Sequence, residues 1–165
     1  MRLQMDSDFP TRVYTEDEIK KAISLIQKGY KHNVTIEGSP DFSRRVEEAL
    51  VHIKTAGYYD FLRTYIRSII EIDGLTQLHE ADAAIWANKY TVQSTVDAAS
   101  TFIQKANHMK EYLEGELYYG GESEKRSVTK RIEFLHALKG KTQDETVSTE
   151  CERLLKMWKE GSIVY

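Results

Sequence analysis

Thr95–Glu114 reads T-V-D-A-A-S-T-F-I-Q-K-A-N-H-M-K-E-Y-L-E, and the fold turns on what its two sides do. Neither Gly nor Pro interrupts the stretch before Gly115. Val96, Ala99, Phe102, Ile103, Ala106, Met109 and Leu113 recur at steps of three and four. That spacing makes one apolar stripe along an α-helix. The other side carries Gln104, Lys105, His108, Glu111 and Tyr112. A helix of this kind packs at the centre of a domain, and its polar side becomes the functional question.

Upstream, Ala83–Asn88 (A-A-I-W-A-N) reads as a short strand and Ser68–Asp73 (S-I-I-E-I-D), closed by Gly74, as another. An interval of about ten residues between them suits an antiparallel hairpin with a long loop. Before these, Tyr58–Ile66 clusters Phe61, Leu62, Tyr65 and Ile66 in a helical pattern. A longer helix opens at Ser39 as N-cap with Pro40 at its first position and ends near Gly57, burying Phe42, Val46, Ala49, Leu50 and Ile53. Asn33–Glu37 alternates like a strand. Thr15–Glu18 is a capping box with three acids in the first turn, opening a helix that Gly29 stops. Residues 1–14 carry charge, Pro10 and no periodicity, which predicts a loosely held arm.

Downstream, Gly115 and Gly120-Gly121 bracket a Tyr118-Tyr119 loop. A helix follows from about Ser123 to Lys139 with Val128, Ile132, Leu135 and Leu138 on one face, stopped by Gly140. Thr142 or Asp144 opens a last helix carrying Val147, Cys151, Leu154, Leu155 and Trp158. The tail Gly161–Tyr165 is apolar and suited to dock on the body, extend a sheet edge or enter a partner's groove. The whole predicts residues 15–165 as a single α+β domain: a small sheet of about three strands, several helices and a helical C-terminal half.

The totals agree with a folded soluble chain. Of 165 residues 41% are hydrophobic and 30% charged, and the net charge of -3 gives no basic footprint for nucleic acid. No run approaches membrane-spanning length, and the expected compartment is the cytoplasm. The single cysteine, Cys151, excludes an internal disulfide and any zinc site built on paired cysteines. Ten tyrosines suit cores and interfaces alike. No phosphate-binding glycine loop or nucleophile-elbow motif occurs. Lys125-Arg126 and Lys130-Arg131 form a basic stripe, but Glu122, Glu124 and Glu133 beside it predict an exposed, ion-paired helix face.

Gln104-Lys105-Ala106-Asn107-His108 has the spacing of an H-E-x-x-H site. There, two histidines one turn apart hold zinc and the glutamate acts as general base toward a metal-bound water. On that spacing the chain resembles the minimal zincin-like metallopeptidases whose third ligand is a glutamate. The resemblance runs from Val34 to about Leu138. It takes in V-T-I-E-G-S-P-D-F-S-R-R-V-E-E-A-L as strand and helix and A-A-I-W-A-N as the strand before the active-site helix. It continues through A-A-S-T-F-I-Q-K-A-N-H-M-K-E-Y-L as that helix and E-S-E-K-R-S-V-T-K-R-I-E-F-L as the third-ligand helix.

The departures fall on the chemistry. Gln104 stands at the first histidine position, and its carboxamide is a poor zinc ligand. Lys105 stands at the general-base position, where an ammonium offers donors and no acceptor. His108 remains, with Glu124 or Glu122 at the third-ligand position. The resemblance therefore implies a zincin-like domain without metal, cofactor or base. It would act as a peptide- or protein-binding or regulatory module, with Ala83–Asn88 as the strand that receives an extended segment.

Other readings stay open. The polar side is most simply a solvated face. A metal-dependent hydrolase would need His108, Glu124 and a further ligand such as His136 or His79. A helical scaffold, homodimeric through its tyrosines and C-terminal helices, would have no cleft at all. His79-Glu80-Ala81-Asp82 reads as a surface loop, and His32, His52 and His136 as isolated surface or boundary residues.

Overall fold

The computed structural model describes residues 9–116 and 120–160. The Tyr118-Tyr119 loop, the apolar tail and the first eight residues of the arm lie outside them.

Local signals place most elements. Thr15 caps α1 (Glu16–Gln27) with the reciprocal Thr15–Glu18 bonds of a capping box. After β1 (Thr35–Glu37), Ser39 caps α2 (Pro40–Ala56), and Gly57 ends it in the left-handed conformation at φ 83°. α3 (Tyr59–Tyr65) leads to β2 (Ser68–Ile72). β3 (Gln77–His79), a 3-10 turn over Glu80–Asp82 and β4 (Ala84–Asn88) follow. The C-terminal half is α4 (Thr95–Leu113), α5 (Gly121–Lys141) and α6 (Glu145–Lys159), with Asp144 capping the last. The architecture is α+β.

The sheet order is β1-β2-β4-β3. β1, β2 and β4 run parallel, with Ile36 beside Ile69 and Ile69 beside Ile85; β3 pairs antiparallel with β4, Leu78 opposite Ile85. The expected hairpin of β2 and β4 is therefore not formed. The interval between them holds a short reversed strand that steps over the place β4 will take. A second reversal then brings β4 back into the gap. That reversal turns on Ala83, a fully buried non-glycine residue at φ 53°. Its carbonyl accepts from the Arg67 amide at 2.7 Å, and the neighbouring Ala81 carbonyl accepts from the Val13 amide at 2.7 Å. β4 is thus interior, and β3 is the outer strand on this side. Ala83–Asn88 cannot be the edge that receives a segment.

Two further expectations change. The arm is tied down from Phe9 onward: Phe9 and Val13 are buried, and Phe9 stacks on Tyr30 with ring centroids 4.7 Å apart. Arg67 donates to the carbonyls of Pro10 and Thr11. α5 also runs through Gly140 to Lys141, where the Lys141 ammonium donates to the Ala56 carbonyl at 3.2 Å. Helix C-terminal contacts of this kind offset the propensity cost of about 1 kcal/mol for an interior glycine.

α4 is the hub. It packs against α2, α3, α5, α6 and β3. Phe102 and Ile103 are fully buried in one core with Phe42, Ile53, Leu62, Phe134 and Leu138. Among the described residues no helix is long and apolar enough to cross a membrane.

Candidate functional site

The polar side of α4 is not solvated. α5 lies across it, leaving Gln104 6%, His108 7% and Glu111 3% exposed. Polar groups removed from water need partners, and α5 supplies them from positions four apart: Ser123, Ser127 and Arg131. Arg131 is central. Its Nη2 donates to Asp97 Oδ1 at 2.7 Å and to Ser100 Oγ at 3.0 Å, and its Nη1 reaches Gln104 Oε1 at 3.4 Å. The same guanidinium lies over the Trp158 ring at 4.8 Å, which ties in α6. Gln104 Nε2 in turn points at Ser127 Oγ, 3.5 Å away. Towards the far end, Ser123 Oγ and Arg126 Nε both donate to the Glu111 carboxylate. The predicted exposed basic stripe is thus split: Lys125 faces solvent, whereas Arg131 is 9% exposed and structural.

Lys105 sits one step round the helix and opens into a cleft of about 420 Å³. The walls come from four places. Asp97, Thr101, Gln104 and Lys105 line it from α4, and Arg131 from α5. Arg153, Leu154 and Met157 line it from α6, and Thr76 and Thr91 from the loops that follow β2 and β4. These loops lie at the carboxyl ends of parallel strands, a usual place for ligand crevices in sheets of this kind. Asn88 clamps the two loops together. Its side-chain amide donates to the carbonyls of Asp73 and Gly74, its amide N–H donates to Thr76 Oγ1, and Thr76 and Thr91 hydroxyls meet at 2.6 Å. Beside those threonines, Leu75 and Tyr90 stand in solvent at 87% and 70% exposure.

The electrostatics follow from burial. Burial, and then the Arg131 charge, hold the Lys105 pKa below its ordinary value, with Glu124 acting in the opposite direction. His108 is pushed down to about 4, first by burial and then by Lys105. At neutral pH the imidazole is therefore uncharged.

Three residues singled out by spacing, Gln104, Lys105 and His108, share one turn of α4, and one of the two acids offered for the third-ligand position, Glu124, acts on Lys105 there electrostatically. Glu122 instead faces outward beside Lys125 at 3.7 Å. His79 is elsewhere, stacked on Trp86 at 4.1 Å with its Nδ1 2.8 Å from Asp82. His136 is exposed on α5. The zinc ion that zincin-like peptidases hold at this spacing does not fit these residues. A carboxamide, an ammonium and the Arg131 guanidinium occupy its surroundings, and among the described residues no three His, Cys, Asp or Glu side chains form a group that could hold a metal.

Sequence reasoning missed Arg131 and Asn88. The 123, 127, 131 spacing of polar residues, matched to 97, 100, 104 and 111, was the available signal for the first. It also missed a second recess near His52, whose Nε2 lies 3.0 Å from Thr95 Oγ1 at the start of α4. No family model, curated protein or solved structure matches the chain.

Proposed function

We propose that this chain is a non-catalytic, zincin-like domain that binds an extended segment of a peptide or protein along β3 and into the Lys105 cleft. One observation carries the reading. Thr76, which lines the Lys105 cleft, immediately precedes β3, the last strand on that side of the sheet, so a lined recess lies beside the start of an outer strand. A segment added to that strand would satisfy main-chain donors and acceptors, and the recess would take a side chain. The exposed Leu75 and Tyr90 supply apolar surface at the same place, and tyrosine is among the residues that contribute most to binding at interfaces. The zincin-like part of the proposal is supported by the strand-to-helix passage from β4 to α4 and by the electrostatic action of Glu124 on Lys105 in the Q-K-A-N-H turn. Its chemistry is replaced by the Arg131 network.

The test is panning of a displayed random-peptide library against the full chain, followed by affinity measurements on the enriched peptides. Extended peptides should emerge whose binding is abolished by N-methylation at alternate backbone positions. Leu75→Ser and Tyr90→Ser should each weaken them by about 1 kcal/mol. Absence of enrichment, or binders indifferent to both changes, would remove the proposal.

A further inference from the structure

We propose that Lys105 is the selectivity element of this cleft and recognises a single carboxylate carried by the bound segment. This inference rests on the segment-binding reading above.

The cleft holds three cations, Lys105, Arg131 and Arg153, against the single acid Asp97. Two of the cations are already matched. Arg131 is held by Asp97 and Ser100, and Arg153 is clamped bidentately on Glu150 at 2.6 and 2.7 Å. Among the described residues Lys105 has no ion pair within 4.0 Å and no hydrogen bond. Glu124 influences it only from farther off. An ammonium withdrawn from water without a counter-ion costs free energy that an arriving anion recovers.

The kind of anion follows from what is left open. The two guanidinium forks that would take a phosphate bidentately are occupied, and one compact point charge remains. A monoanionic carboxylate matches it. The carboxylate can be an Asp or Glu side chain or the carboxyl end of the segment, since both present the same group.

The test uses full-length protein labelled at the lysine ε-carbons and read by NMR, with blocked single-residue probes. N-acetyl-aspartate methylamide should shift the Lys105 resonance and raise its pKa, while N-acetyl-asparagine methylamide should do neither. An N-acetyl-amino acid with a free carboxyl end separates the two carboxylate sources. No response at Lys105, an equal response to the neutral probe, or a stronger response to N-acetyl-phosphoserine methylamide overturns the assignment.

Library peptides give an independent arm. The wild type should prefer an Asp peptide to its Asn counterpart by about tenfold. Lys105→Gln should abolish that preference and Lys105→Arg should keep it. Peptides that bind without any such preference sink the carboxylate inference alone. A probe response at Lys105 without peptide binding sinks the segment-binding reading alone.

Discussion

Arg131 on α5 reaches across the helix crossing to Asp97 on α4, 2.7 Å from nitrogen to oxygen, and the arginine side chain is only 10% exposed. Breaking such a pair from one side leaves a charge without its partner in a place water reaches poorly. Asp97→Ala should therefore lower the unfolding free energy by about 2 kcal/mol in urea titration. Replacing both residues by apolar ones should recover part of the loss. A double-mutant cycle with no coupling between positions 97 and 131 would contradict this account.

Acid should destabilise the fold through buried histidines. His32 is 1% exposed, enclosed by Phe9 and Tyr30, and burial with the charges of Arg67 and Arg63 lowers its pKa from 6.5 to about 3. His108 falls from 6.5 to about 4. Below pH 6.5 the unfolded chain binds protons that the folded chain refuses, so stability present above that pH is lost as it falls towards 4 and 3. Each histidine contributes a slope of up to about 1.4 kcal/mol per pH unit within its window. Unfolding free energies measured from pH 7 to pH 4 should show this slope, and His32→Gln should reduce it by one proton.

Gly38 joins β1 to α2 with almost no room. A Cβ added there would meet Phe42 Cδ2 at 2.6 Å and Glu71 Cβ at 2.8 Å. Glu71 is also the acceptor for the Ser39 amide at 2.8 Å. Gly38→Ala should cost about 2 kcal/mol of stability in chemical denaturation, by overpacking against a side chain that cannot move without losing a bond.

The zincin-like reading makes its own demand. Positions 104 and 108 lie one turn apart on one helix face, and the Glu124 carboxylate acts electrostatically on Lys105 between them. Gln104→His with Lys105→Glu should therefore create zinc affinity near micromolar in calorimetric titration with zinc chloride. Arg131→Met added to the pair should strengthen it by removing the nearby cation. Absence of zinc binding in the double and the triple variant would dispose of that reading.

Much of this fold was legible because its signals are local. Thr15, Ser39 and Gly57 announce their helix ends whatever surrounds them, and the stripe on α4 is long enough to read by period alone. β3 escaped because three residues, Gln77–His79, are too short for any periodicity. Without β3, an interval of about ten residues looks like a hairpin loop. Gly140 misled for a different reason: the Lys141 contact to Ala56 is tertiary and overrides propensity. At the candidate site, spacing singled out Gln104, Lys105 and His108, and the resemblance added Glu124 or Glu122. It could not show that their helix face is covered, because burial of a polar face depends on what the neighbouring helix offers. Arg131 looked like one charge in an exposed stripe until its partners on α4 were in view.

The Arg131 network also bears on how this chain can change over generations. Asp97, Ser100, Gln104 and Arg131 share one set of hydrogen bonds, so no member can be exchanged without stranding another. Variation at these four positions should be strongly epistatic, with the tolerated identity at one set by the others. Lys105, which has no partner among them, is left free to drift with whatever the cleft must hold.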